Sequence, residues 1–122
     1  MRNKKFKQPF LKGGVVALPM IMLKSNAYIS LSAQAKTLMV LMQQHWRYDR
    51  PIGYGIREAC KLLPCSKGKA QKVFKELEAG GFIVKIDESL FNSRIGSKTR
   101  TWRLTWMPYQ NKRPTTEFLN EK

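Results

Sequence analysis

The sequence predicts an α+β fold that is mainly helical and carries a β-hairpin at its C-terminal end. Apolar residues recur at helical spacing as far as Leu77, and beyond Gly81 they alternate with a period of two, which is typical of strands. The length of 122 residues suits one domain with a modest core. We therefore expect a folded domain at 15–107, with a basic arm at 1–14 and a polar tail at 108–122.

The first half of the domain predicts two helices and a very short strand. One short helix is expected to open at Pro19, which suits a first helical turn, and to run to Lys24. Ser32 is a good N-cap for a longer amphipathic helix at 33–46. Its apolar positions are Ala35, Leu38, Met39, Leu41, Met42 and Trp46. A proline and two glycines then break the helical pattern, and the strand is expected at 52–54.

Two shorter helices joined by a tight turn are predicted next. The apolar spacing from Ile56 to Leu63 predicts a helix that Pro64 must end. Ser66 caps a second helix, which Gly80 is expected to close in a left-handed conformation. The second helix has one apolar face, formed by Ala70, Val73, Phe74 and Leu77. Because about three to four residues separate the two helices, the pair has the connection that a helix-turn-helix requires.

Two antiparallel strands are expected within 82–106. In the first strand, one phase of the alternation is formed by Phe82, Val84 and Ile86. In the second strand Trp102 and Trp106 alternate in phase with Leu104, so we expect both tryptophans to pack against the core. A long polar loop at 87–100 connects the strands.

The strongest indication of a partner is the charge of the chain. Lys and Arg number 23 and Asp and Glu only 8, which gives a net charge of +15 and an isoelectric point near 10.2. No acidic residue precedes Asp49, although a solubilising surface normally mixes both signs. Such a charge attracts polyanions, either nucleic acid or an anionic membrane surface. The basic arm contributes Arg2, Lys4, Lys5 and Lys7.

The chain holds few residues that bind metals or form disulfides. Cys60, Cys65 and His45 are its only cysteines and its only histidine, so a four-ligand zinc site would need carboxylates. Two cysteines cannot form the disulfide framework of a small secreted protein, and we therefore expect a cytoplasmic protein. We expect no metal and no cofactor.

The patterns that mark membrane proteins and enzymes are missing as well. The apolar run at 15–23 follows a basic stretch as in a signal peptide, but Pro19 interrupts it and no convincing cleavage site comes after it. No other run has the length that a membrane span requires. The phosphate-binding loop pattern is missing, and the 8 acidic residues are scattered. We expect neither a membrane protein nor an enzyme.

The second helix of the predicted helix-turn-helix carries the candidate binding residues. Opposite its apolar face lie Lys67, Gly68, Gln71, Lys72 and Lys75. The cations crowd the N-terminal half, where a recognition helix enters the major groove and where the helix dipole disfavours positive charge. Lysines are also ordinary on a surface helix, and two glutamates, Glu76 and Glu78, offer partial neutralisation. The glycine at 68 fits either close approach to a phosphate or tolerance near a helix end.

The order of elements resembles the winged helix-turn-helix superfamily: a long helix, a short strand, two helices joined by a turn, and a hairpin wing. Over about residues 15–107, short motifs look like those of small phage- and plasmid-type DNA-binding proteins. These motifs are "LP" at Leu18 and Pro19, "LS" at Leu31 and Ser32, "REA" at 57–59, the Ser66 cap, "ELEAGGFI" at 76–83 and "TWRLT" at 101–105. The "ELEAGGFI" hinge is the most specific of them, and it indicates the fold better than the role, because repressors, replication initiators and architectural proteins share it.

The resemblance implies a binding surface with two parts. The recognition helix, 66–79, would read the major groove, and the wing, 82–106, would touch the backbone or the minor groove. Carried over, the contacts are Lys67, Gln71, Lys72 and Lys75 on the helix and Arg94, Lys98 and Arg100 on the wing. Gly68 and Lys69 stand where small hydroxylic residues are common in such proteins, which favours phosphate contact over base readout there. The basic arm is additional to the pattern, and its concentrated charge favours contact with DNA, along the backbone or the minor groove, over a solvated tail.

These observations favour a double-stranded DNA-binding protein of a bacterium, phage or mobile element that acts in transcription regulation. The alternative is the DNA-binding module of a plasmid, phage or satellite replication initiator that binds origin repeats. A third interpretation is a basic adaptor whose wing and tryptophan surface bind RNA or another protein. Homodimerisation through the long helix or the tail after Pro108 would suit two half-sites.

Overall fold

A computed structural model describes residues 12–86, 100–110 and 112–115. Within these ranges the fold is α+β, with five helices and one antiparallel sheet of three strands. The helices are α1 (Met20–Leu23), α2 (Asn26–Ile29), α3 (Ala33–Gln43), α4 (Ile56–Leu62) and α5 (Lys67–Ala79). The strands are β1 (Ile52–Gly53), β2 (Ile83–Ile86) and β3 (Thr101–Leu104), in the spatial order β1-β3-β2.

Serine side chains start three of the five helices in the described ranges. The hydroxyl of Ser25 accepts a hydrogen bond from the third amide of α2, and Ser32 and Ser66 do the same for α3 and α5. Each bond satisfies one of the amides that a helix start leaves without a partner. The predicted caps at Ser32 and Ser66 are thus confirmed, whereas α2 was not predicted.

The long helix α3 ends at Gln43 rather than at Trp46. His45 and Trp46 close the end in a tighter turn, because their amides donate to carbonyls three residues back. Trp46 lies beyond the end of α3, and its indole N–H donates to the carbonyl oxygen of Pro108 at 3.0 Å. Trp46 fits the helical period although it lies past the helix, which is why the prediction ran too far.

The core lies between the helices and one face of the sheet. Both predicted core tryptophans are confirmed, since Trp102 is 2% exposed and Trp106 is 3% exposed. The indole N–H of Trp106 donates to the side chain of Gln43 at 2.8 Å, and Gln43 in turn donates to the carbonyl of Ala17 at 2.9 Å. The buried side-chain amide of Gln43 therefore connects the segment before α1 to Trp106, which follows β3. The apolar periodicity of the sequence did not predict this polar contact in the core.

A Schellman motif ends α5 and corrects two predictions. Gly80 keeps a right-handed backbone with φ −80, and Gly81 is the left-handed residue with φ +83. The amide of Phe82 donates to the carbonyl of Leu77, and the amide of Gly81 donates to that of Glu78, which is the hydrogen-bond pair of this motif. Phe82 therefore belongs to the helix end and not to the strand.

The burial of β2 shows which residues of the strand face the core. Ile83 is 1% exposed and Val84 is 37% exposed, so Ile83 faces the core. Phe82 is buried through the helix-end motif, and the alternation of β2 starts afresh at Ile83. The predicted antiparallel pairing is confirmed, with Ile83 opposite Leu104 in the register of β2 and β3.

We expect Gly81→Ala to lower the free energy of unfolding by about 1 to 2 kcal/mol, because a Cβ is disfavoured at positive φ. Urea denaturation would measure the change. Gly68→Ala is the matched control, since a Cβ at this position meets nothing within 4 Å. The control should gain up to about 1 kcal/mol from helix propensity. Equal stability of Gly81→Ala and the parent would contradict the left-handed assignment.

Candidate nucleic-acid interface

Helix α5 is held on two sides by other helices. It packs against both α3 and α4, and residues 63–66 connect α4 to α5, which confirms the predicted tight turn. Its buried face consists of Ala70, Val73, Phe74 and Leu77, as predicted. Phe74 stacks on Trp102 with 5.3 Å between ring centroids and 13° between the planes. The orientation of α5 about its axis is therefore set by the core.

The opposite face of α5 is exposed and basic. Lys67, Gly68, Gln71, Lys72 and Lys75 are all exposed, so the predicted binding face lies on the surface. Lys69 is half-buried, because it lies on the flank between the buried and the outer face. The cations thus form a row along the outer face, which we call the α5 lysine row: Lys67, Lys72 and Lys75.

The α5 lysine row keeps its charge directed toward solvent. Across the described ranges the one salt bridge joins Arg50 to Asp49 at 3.5 Å, far along the chain from α5. Lys72 and Lys75 stand three residues apart on one helix face, where like charges destabilise a helix by about 0.2 to 0.5 kcal/mol. The row therefore lowers the stability of the helix, and ion pairs with the described residues do not offset this.

Glu76 does not neutralise the row, contrary to the sequence interpretation. Its carboxylate accepts the backbone N–H of Ser32 at 2.6 Å and the hydroxyl of Ser32 at 2.8 Å. The carboxylate thereby lies at the N-terminus of α3, where the helix dipole favours negative charge. This contact fixes α5 against α3 and removes Glu76 from the outer face.

Arg100 is the one predicted wing residue within the described ranges. Its guanidinium lies 5.9 Å from the ring centroid of Phe74, and its backbone carbonyl accepts from the amide of Tyr54. The structure therefore brings Arg100 beside α5. The other predicted wing and arm residues, Arg94, Lys98, Arg2, Lys4, Lys5 and Lys7, lie outside the described residues.

Three exposed basic residues near α5 were not predicted as site residues. Arg57 and Lys61 lie on α4, and Lys85 lies on β2 opposite Trp102. A helix that precedes a recognition helix crosses the backbone of the duplex in related docking geometries, so basic residues on α4 were a usable signal. Lys85 could have been predicted from its position on the strand that leads into the polar loop.

Tyr54 lies in the core, where its ring packs against α5. Its side chain is fully buried, and its ring is tilted against Phe74 with 6.5 Å between centroids. Burial raises the pKa of Tyr54, and the nearby carboxylate of Glu58 raises it further. The hydroxyl has no hydrogen-bond partner among the described residues. Tyr54 is therefore a neutral phenol of the core.

The described residues form neither a metal-binding cluster nor a membrane-spanning helix. No group of three or more His, Cys, Asp and Glu side chains there could hold a metal ion. None of the helices in these ranges has the length and apolar character needed to cross a membrane. Comparisons of the chain with protein-family models, with curated proteins and with solved structures found no match.

Proposed function

We propose that this protein binds double-stranded DNA through a winged helix-turn-helix and acts as a transcriptional regulator. The observation that carries the proposal is the α5 lysine row. It is exposed, forms no ion pair with any described residue, and lies on the second of two helices that a short turn connects. Helix α5 would enter the major groove with Lys67, Lys72 and Lys75, and Gln71 would reach base edges. Arg100 and the rest of the hairpin would contact the backbone.

The topology supports this proposal. A long helix, a two-residue strand, two helices across a tight turn and a hairpin follow one another in the order that the winged helix resemblance implies. The two-residue strand β1 pairs with β3 of the hairpin, so the wing is anchored to the helical part through the sheet. Rigid support of this kind suits two elements that must contact one duplex together.

The electrostatics support it as well. A net charge of +15 gives long-range attraction to a polyanion, and exposed lysines release counterions from DNA phosphates on contact. The outer face of α5 contains glycine and glutamine as well as lysine, so it offers both phosphate contacts and one amide able to pair with a base edge.

Selection of bound fragments from random double-stranded DNA tests the proposal. An enriched palindromic motif would favour a regulator bound as two copies, and a directly repeated motif would favour the replication initiator. Salt-dependent binding without a motif would favour an architectural protein that tracks phosphates. Absence of binding at low salt would contradict the proposal.

We expect the double variant Lys72→Gln, Lys75→Gln to weaken DNA binding and to flatten its salt dependence. Each lost phosphate contact lowers the slope of log affinity against log salt by about 0.9, so the double variant should lose about 2. Fluorescence anisotropy with a labelled duplex at four salt concentrations would measure the slope.

The matched control is Lys24→Gln, Lys112→Gln, which removes the same charge from exposed positions outside α5. Its slope should stay close to that of the parent. Equal slopes for the α5 double variant and the parent would remove the α5 lysine row from the interface.

A further inference from the structure

The two cysteines flank the turn that leads into α5. Cys60 lies in the last turn of α4, and Cys65 follows its C-cap, Leu63, by two residues. The amide of Cys65 donates to the carbonyl oxygen of Cys60 at 3.2 Å. This bond has the six-to-one spacing of the hydrogen bonds that close helix ends, and Pro64, which has no amide N–H, stands just before Cys65.

The two cysteines are also alike in their surroundings. Both thiols are free, both are half-buried, and both pack on the edge of the core. Both are therefore partly accessible to a reagent in solution.

The backbone distance suits a disulfide. The covalent bonds on either side of the hydrogen bond keep the two Cα atoms less than about 7 Å apart. Disulfides join cysteines whose Cα atoms are about 4.4 to 6.8 Å apart. The Cα separation is therefore within or close to the range that a disulfide spans.

We propose that Cys60 and Cys65 form a thiol–disulfide exchange site that reacts with low-molecular-weight disulfides such as oxidised glutathione. The thiolate of one cysteine attacks a sulfur of the glutathione disulfide, forms a mixed disulfide and releases one glutathione thiol. The second thiolate attacks the protein sulfur of that mixed disulfide and releases the second glutathione thiol. Two electrons pass to glutathione, which also takes up the two thiol protons, and the protein gains an intramolecular disulfide.

The disulfide would cross-link the two sides of the turn between α4 and α5. Helix α5 starts two residues after Cys65, so the cross-link restrains the connection on which the angle between the two helices depends. A cross-link also restricts the unfolded chain and raises the thermal midpoint. The oxidised protein should therefore melt at a higher temperature than the reduced protein, and dithiothreitol should reverse the change.

Intact mass and thermal melting after equilibration with oxidised glutathione test the inference without DNA, so the result is independent of the proposed function. The parent should become lighter by two hydrogens, lose both maleimide-reactive thiols and gain thermal stability. Cys60→Ser and Cys65→Ser should each stop at an adduct with one glutathione and show no such gain. A parent that carries two glutathiones, keeps both thiols or forms only cross-linked dimers would overturn the proposal.

Discussion

Replacing Trp102 with alanine is expected to lower the free energy of unfolding by about 3 to 5 kcal/mol. Trp102 is among the largest fully buried side chains in the described ranges and sits on the central strand β3, opposite Ile52 of β1 and Lys85 of β2. Truncation would open a cavity where β3 meets α5 and remove the stacked ring from Phe74. Urea denaturation followed by far-ultraviolet circular dichroism would measure the loss.

The indole N–H of Trp102 adds a polar part to this effect. It donates to the backbone carbonyl of Tyr54 at 3.1 Å, in a buried position. Trp102→Phe keeps most of the ring and leaves this carbonyl without that donor, so we expect a loss of about 1 to 3 kcal/mol. Trp46→Ala is the control at a half-buried tryptophan and should cost less than Trp102→Ala. The reverse ranking would mean that Trp102 does not join the sheet to α5.

Local signals explain why much of the helical part was predictable. Ser32 and Ser66 cap the helices that follow them, and Pro64 stands just after α4. These residues act on backbone groups only a few positions away, so their effect is visible in the sequence. The exposed face of α5 was predictable for a related reason, because one apolar stripe defines the opposite face of a helix.

Contacts between distant residues explain what the sequence did not predict. Gln43 is buried only because Trp106 and Ala17 supply its hydrogen-bond partners, and both lie far from it along the chain. The pairing of Ser32 with Glu76 spans 44 residues, and a glutamate among lysines looks like a local counter-ion until the fold is known. Only the tertiary structure shows whether such a carboxylate fixes the position of a helix or neutralises nearby lysines.

Glu76→Ala is expected to lower the free energy of unfolding by about 2 kcal/mol, because the backbone N–H of Ser32 loses a charged acceptor. The hydroxyl of Ser32 loses its acceptor at 2.8 Å in the same step but still caps α3 through the amide of Ala35. The helix would remain, and its contact with α5 would loosen. Chemical denaturation would give the size of the loss.

Glu78→Ala is the matched control for this change. Glu78 is exposed on the same helix, so the control removes the same charge and should change stability by less than about 0.5 kcal/mol. If the protein binds DNA as proposed, the two variants also separate the effect of charge on DNA affinity from the effect of the position of α5. Both variants raise the net positive charge of the protein by one unit, yet only Glu76→Ala frees α5 from α3. Tighter DNA binding by Glu78→Ala and weaker binding by Glu76→Ala would show that the Ser32 contact holds the α5 lysine row in place. Equal gains would mean that charge alone governs binding.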